Sequence, residues 1–321
     1  MAVFTPVERG ELERWLTRFE LGQVFDFRGI SAGIENSNFF VTTESGAYVL
    51  TLFERLSSAE LPFYLELMRH LATRGIPCPA PIAARNQSLY GELNGKPAAL
   101  VTRLEGAWVT DPTEAQCAQA GHTMAQMHLA GADFPIEQPN LRGLEWWRKT
   151  VPEVAPTLDD ARRRLLEDEL AVQLQHLAPL QNTLPRGPIH ADLFRDNALF
   201  VGEQLGGFID FYFAGCDLWL FDVAVSINDW CVKADSGSLI PSRAHAFLKA
   251  YSKTRAFTDG ERLAWPLVLR AAAFRFWLSR LWDLARPRAA HMLVPHDPTP
   301  FERILRERRD HYQEPLYALP D

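Results

Sequence analysis

The sequence predicts an α+β chain in two lobes, a small β-rich one at the N-terminus and a larger, mainly helical one after it. Short apolar runs separated by turn residues fill most of the first hundred positions, whereas helical periodicity dominates the rest. With 321 residues, 47% hydrophobic and 23% charged, the chain has material for two cores. The junction is expected near 103–110, giving lobes at 1–104 and 105–321, and such a junction is a natural cleft.

In chain order, "FTPVERGELERWLTRFELG" reads as an amphipathic helix with Thr5 and Glu8 as a capping box, Pro6 at its first position and Gly22 at its end. Strands are expected at 25–30, 38–43 and 47–52. Glu44-Ser45-Gly46 makes the last two a hairpin, and the small, polar "GISAGIENSN" separates the first two. Ser57 and Glu60 open a second helix, whose Leu61, Tyr64, Leu65, Met68, Leu71 and Ala72 keep helical spacing until Gly75. Prolines hold "IPCPAPI" extended, and Asn94-Gly95 predicts another hairpin. An Asp-Pro pair then opens a helix at "DPTEAQCAQAGHTMAQMHLAG", and a charged helix follows over 158–178. Helices dominate after Leu218, with Pro266 marking a start or a kink. Two β-like runs, around 188–200 and at "GGFIDFYF", interrupt this helical half.

The net charge of −7, with no block of Lys or Arg, argues against a nucleic-acid partner. It leaves room for an anionic ligand whose charge is offset by a divalent metal or local donors. Cys78, Cys117, Cys216 and Cys231 show no C-x-x-C spacing, so free buried thiols in a reducing compartment are expected. There is no apolar signal core and no run of 18 apolar residues; the chain reads as soluble and cytoplasmic, without a membrane partner.

The densest chemistry lies in "PIHADLFRDNALF", 188–200. His190 stands two before Asp192, Asn197 five after it, and Asp210 ends a second apolar run thirteen residues beyond Asn197. Singly these suit ordinary turns; together they suit transfer of the γ-phosphoryl group of ATP. That reaction needs a base aligned with the incoming hydroxyl and oxygen ligands for Mg²⁺. Asp192 suits the first task. The Asn197 amide oxygen and the Asp210 carboxylate are hard ligands suited to the second. The greasy flanks then serve as scaffold.

"HADLFRDN" followed by "IDF" resembles the catalytic and metal-binding loops of the aminoglycoside-phosphotransferase and choline-kinase superfamily, relatives of the protein kinases. The combination of "ENSNFFV", "YVLTLFE" and "HADLFRDN" is similar to the bacterial homoserine kinases of that superfamily. The resemblance implies a bilobal protein-kinase-like fold, ATP and Mg²⁺ as cofactors, and L-homoserine as acceptor on the route to threonine. It implies Asp192 as catalytic base, Asn197 and Asp210 as metal ligands, and His190 as a residue that holds the loop in shape. Asp222 would orient that loop. Ser31, Asn36, Ser37 and Asn38 would lie over the phosphates, and adenine would meet main chain at Val101, Thr102 and Leu104. Glu66 would be the helix glutamate of the kinases. Thr51 departs from the pattern, standing where many relatives carry the Lys or Arg that contacts the phosphates; Lys96 is one candidate substitute. Ala191 replaces the arginine of the protein-kinase H-R-D motif, and no A-P-E motif follows, so a small-molecule kinase fits better than a regulated protein kinase.

A zwitterionic acceptor needs a cation for its carboxylate and an anion for its ammonium. Arg275 and Arg280, on an apolar helix, and Asp229 in "INDW" are the candidates, with structural ion pairs as the plain alternative. A choline or ethanolamine kinase would instead use an aromatic cage, for which Trp219, Trp230 and Trp277 are available. An aminoglycoside phosphotransferase would want a strongly acidic pocket. A reading from another class is a nucleotide-binding scaffold of the same fold.

Overall fold

The computed structural model describes residues 3–30, 36–286, 296–311 and 318–320. The chain divides into two compact units, Met1–Glu105 with Gly207–Ile209, and Gly106–Gly206 with Asp210–Asp321.

In the first unit, helix α1 (Arg9–Leu16) precedes strands β1 (Val24–Gly29), β2 (Ser37–Thr43) and β3 (Gly46–Leu52), helix α2 (Leu61–Thr73), and strands β4 (Tyr90–Leu93) and β5 (Lys96–Thr102). The strands form one antiparallel sheet in the order β1-β2-β3-β5-β4. Along β2 burial alternates strictly, so Phe39 and Val41 face the core that also takes Leu50 and Leu52 of β3 and Leu100 of β5. Leu12, Trp15 and Leu16 of α1 join the same core. Asn94 and Gly95 both have positive φ, 51° and 72°, as the tight turn from β4 to β5 requires. The first helix starts later than its Thr5–Glu8 pattern suggests. Glu8 is the N-cap, in a box with Glu11, because the Thr5 amide is drawn off to Ser37 Oγ at 2.9 Å.

The second unit holds helices α3 (Glu114–Gly131), α4 (Leu144–Val154) and α5 (Asp160–His176), then strand β6 (Arg186–Ile189), hairpin strand β7 (Ala198–Val201) and the start of its partner β8 (Gln204–Phe208), whose Gly207 and Phe208 belong to the first unit. Strand β9 (Gly215–Leu218) and helices α6 (Trp219–Trp230), α7 (Pro241–Thr254), α8 (Asp259–Ala285) and α9 (Thr299–His311) complete it. β6 pairs antiparallel with β9. Thr113, rather than Asp111, caps α3, and its Oγ1 and Gln116 form a capping box. Helix α3 packs closely on α7: a Cβ at Gly121 would run into the Phe247 carbonyl, so glycine permits the approach. Pro266 lies inside α8, whose start is set earlier by a Thr258–Glu261 capping box. The four cysteines are free and buried. No helix among the described residues is long and apolar enough to cross a membrane.

Candidate active site

Helix α6 is buried almost throughout, so its polar side chains need partners where they stand. Asp222, Ser226, Asp229 and Trp230 find them in the segment 190–195. The Asp222 carboxylate accepts the amides of His190 at 2.9 Å and Ala191 at 2.8 Å. Ser226 Oγ donates to the Leu193 carbonyl at 2.8 Å, which Trp230 Nε1 also reaches at 3.0 Å. Asp229 accepts the Arg195 amide at 2.8 Å and its guanidinium Nε at 3.0 Å. Positions 222, 226, 229 and 230 recur at helical spacing on one face. This grip holds Ala191 at φ 63°, a left-handed conformation that costs a non-glycine residue roughly 1–2 kcal/mol.

Asp192 follows that turn and is half-buried. Arg275, only 3% exposed, reaches its Oδ1 at 3.5 Å. Asn197 donates its amide nitrogen to the Asp192 carbonyl at 2.8 Å, which turns its own oxygen away from that carbonyl. Asp210, exposed, follows β8 in a left-handed conformation, φ 63° and ψ 59°. Its neighbour Phe211 is buried, with its ring centroid 4.6 Å from that of His190. His190 is fully buried and joins the two segments through this contact, while its amide is held by Asp222.

The loop therefore carries a carboxylate able to accept a hydroxyl proton and an amide oxygen directed away from its backbone. Asp210 carries a second carboxylate. Asn197 and Asp210 have the donor chemistry Mg²⁺ selects. Among the described residues no group of three or more His, Cys, Asp or Glu is placed to hold a metal. Asn197 and Asp210 alone supply two ligands, so a divalent ion held by them would need ligand oxygens or water for the rest of its shell, the usual arrangement for Mg²⁺ with phosphates.

The candidate acceptor residues share this neighbourhood. Arg280 donates to the Asp297 carbonyl at 2.7 Å and lies over the Phe301 ring at 4.6 Å. Burial lowers its pKa, opposed by Asp229, Asp297, Asp192 and Asp196 around it. The Arg275 guanidinium lies 3.7 Å from the Phe276 ring centroid, and Phe194, Phe276 and Phe301 pack together beside it. Asp229 already carries Arg195, so an ammonium there would share the carboxylate with that guanidinium. Asp196, in the same loop, reaches solvent; partial desolvation, then the Asp229 charge, raises its pKa.

Among the candidate nucleotide contacts, Ser31 lies outside the described residues. Asn36 stands half-buried just before β2. Ser37 is fully buried: its Oγ accepts the Phe4 and Thr5 amides and donates to Glu54 at 2.6 Å, which commits it to the fold. Thr51 donates to Asn38 Oδ1 at 2.8 Å, a bond that engages the amide oxygen and leaves its N–H groups out. Lys96 pairs with Glu54 at 3.1 Å, and Glu66 pairs with Arg69 on the same helix. Val101 and Thr102 end β5, where the Thr102 amide donates to the Ala80 carbonyl at 2.9 Å; Leu104 lies beyond the strand.

Behind the loop, Asp222 also accepts from His128 Nε2 at 3.1 Å. Burial lowers the His128 pKa below 6.5, with Asp222 opposing. Burial would raise Asp222, but His128 and the loop amide outweigh it and its pKa falls below 3.8. For both groups the unfolded chain binds the proton first as pH falls. Their stabilisation is complete above the unfolded values, and the His128 share is lost as pH drops below 6.5 toward its folded pKa. The urea midpoint should therefore fall below about pH 6.5. His128→Gln should flatten that part of the curve; an unchanged slope would remove His128 as its source.

The family model of the phosphotransferase enzyme family matches residues 26–266, three-quarters of the chain. The chain belongs to that family. Among curated members, a homoserine kinase of Burkholderia pseudomallei (strain 1710b) is 56% identical, covering 100% of this chain and 98% of that one. Among solved structures, the amicoumacin kinase in complex with AMP-PNP, Ca²⁺ and its ligand superposes with TM-score 0.69 at 16% identity, covering 95% of this chain and 93% of that one. Spectinomycin phosphotransferase in complex with ADP and spectinomycin gives 0.63 at 15%, covering 97% and 96%. The fold is thus the aminoglycoside-phosphotransferase, protein-kinase-like one expected from the sequence, and the protein is a phosphotransferase that uses an alcohol acceptor.

Proposed function

We propose that the protein transfers the γ-phosphoryl group of ATP to the side-chain hydroxyl of L-homoserine, giving O-phospho-L-homoserine and ADP for threonine synthesis. The observation that carries the choice of acceptor is the 56% identity, along the whole chain, to a protein named homoserine kinase. In this reading Asp192 accepts the hydroxyl proton as the oxygen attacks phosphorus, and the bond to the β-phosphate oxygen breaks to release ADP. Asn197 and Asp210 would hold Mg²⁺, whose charge would offset that of the phosphates. His190 and the α6 face keep the loop rigid, so Asp192 meets the hydroxyl without reorganisation. Arg275 and Arg280 serve the acceptor carboxylate, and Asp196 or Asp229 its ammonium. Residues 1–104 take the nucleotide, through main chain near Leu104 and the polar side chains of Asn36 and Asn38, and residues 105–321 carry the chemistry.

The aromatic-cage alternative has less support. Trp230 and Trp277 are fully buried and Trp219 is 9% exposed, while the faces of Phe276 and Phe301 already carry Arg275 and Arg280. ADP release by the purified protein with ATP and Mg²⁺ tests the reading. L-homoserine should turn over at least about tenfold faster than D-homoserine, L-serine, choline or kanamycin, a discrimination within reach of misplaced polar groups. Selective turnover of choline or kanamycin would retain the kinase and replace the acceptor.

A further inference from the structure

We propose that His128 and Tyr251 are positioning residues for phosphoryl transfer, fixing the direction of the Asp222 carboxylate and through it the turn that aims Asp192. The inference rests on reading 190–197 as the catalytic loop. His128 lies near the end of α3 and is fully buried, as are Asp222 and Tyr251. Its Nδ1 is 2.8 Å from the Tyr251 hydroxyl and its Nε2 is 3.1 Å from Asp222 Oδ2. Arg255 continues the chain, with NH1 3.5 Å from the Tyr251 hydroxyl and NH2 2.9 Å from Glu261, the residue that closes the capping box of α8.

The proton order along this chain is set from the Asp222 end. An ionised carboxylate only accepts, so His128 carries its proton on Nε2 and donates it to Asp222. Nδ1 of that neutral tautomer is an acceptor and takes the Tyr251 hydrogen. Arginine only donates, and the Tyr251 oxygen has a lone pair left to accept from Arg255. Stacking on Trp219, with centroids 5.6 Å apart and planes 3° from parallel, fixes the ring plane. The imidazole therefore has one orientation, and it holds Asp222 in the pose where the carboxylate also takes both the His190 and Ala191 amides. Those two bonds hold the left-handed turn immediately before Asp192. The close approach of α3 to α7 at Gly121 lets residues from the two helices meet.

The test is steady-state kinetics of the full-length chain with ATP, Mg²⁺ and L-homoserine, alongside melting temperatures. His128→Leu, His128→Gln and Tyr251→Phe are compared with wild type and Asp192→Asn. His128→Leu should lower kcat about 10- to 100-fold, the scale of a small misplacement of a reacting group, with KM for ATP within about threefold. Gln can present an N–H where Nε2 stood, and should recover kcat to within about fivefold of wild type. Tyr251→Phe frees the tautomer and should lower kcat about three- to tenfold. If His128→Leu does not fold, the Gln and Phe variants decide. A kcat within twofold of wild type for His128→Leu or Tyr251→Phe overturns the inference, as does a Gln variant no better than Leu. Inactive wild type, or an Asp192→Asn enzyme as active as wild type, would instead sink the reading of function and this inference with it.

Discussion

Replacing Asp192 with Asn is expected to lower kcat by about 10²–10⁴-fold, the usual contribution of a positioned general base. The amide keeps the volume and one acceptor oxygen but cannot take the proton of the incoming hydroxyl at neutral pH. The surrounding geometry should survive, because what anchors residue 192 is its backbone: its carbonyl takes the Asn197 amide, and the Leu193 carbonyl next to it takes Ser226 and Trp230. Affinity for ATP should stay within about threefold of wild type, since the loss falls on the transition state and not on ground-state binding. Single-turnover kinetics with a fluorescent nucleotide to report binding separate the two. A variant that still turns over within about threefold of wild type would falsify the assignment of the base. One that loses ATP binding would show that Asp192 acts on the nucleotide.

How far such a site can be read from sequence depends on whether each signal is local. The strand alternation in "SNFFVTT" and "GAYVLTL" and the Asn94-Gly95 turn are local, and the structure places β2, β3 and the β4–β5 turn within a residue of expectation. The Thr5–Glu8 pattern is equally local, yet a partner 32 residues away, Ser37, captures the Thr5 amide and the helix starts at Arg9. Tertiary contact overrides propensity there. The same bond explains why Ser37 reads in sequence as a phosphate-loop hydroxyl but sits buried as a structural acceptor. The Thr258–Glu261 box was legible, as "TDGE" ahead of an apolar run, and would have placed Pro266 inside α8.

The polar loop itself was legible from its residue types; what holds it was only half legible. In "FDVAVSINDW" the polar positions 222, 226 and 229 recur every three or four residues on an otherwise apolar helix, a spacing that announces a buried polar face. Which backbone that face grips cannot be read locally, because the partners lie 31 to 37 positions earlier. His128 carried still less signal. A single His in "MAQMHLAG" looks like any other helical residue until α7 brings Tyr251 and α6 brings Asp222 to its two nitrogens.

Asp222→Leu should be strongly destabilising. It removes the common acceptor of three buried donors, the His190 and Ala191 amides and His128 Nε2. An unsatisfied buried donor costs about 1–3 kcal/mol, so three together cost about 3–9 kcal/mol, against a total stability of about 5–15 kcal/mol for a typical domain. The chain should express poorly or melt well below wild type. Asp222→Asn is the informative companion. Its one oxygen still accepts, but its NH₂ group must face one of the three donors, so a loss of about 1–3 kcal/mol is expected with the fold retained. His128 can relieve part of that conflict by moving its proton to Nδ1, but only if the Tyr251 hydroxyl turns to accept it. Tyr251→Phe should therefore cost less in the Asp222→Asn background than in wild type, by a coupling that a double-mutant cycle reads directly. Urea unfolding of the four proteins, followed by near-UV circular dichroism, supplies the cycle. Additive losses would mean that Asp222 and Tyr251 stabilise the loop independently and that His128 passes nothing between them.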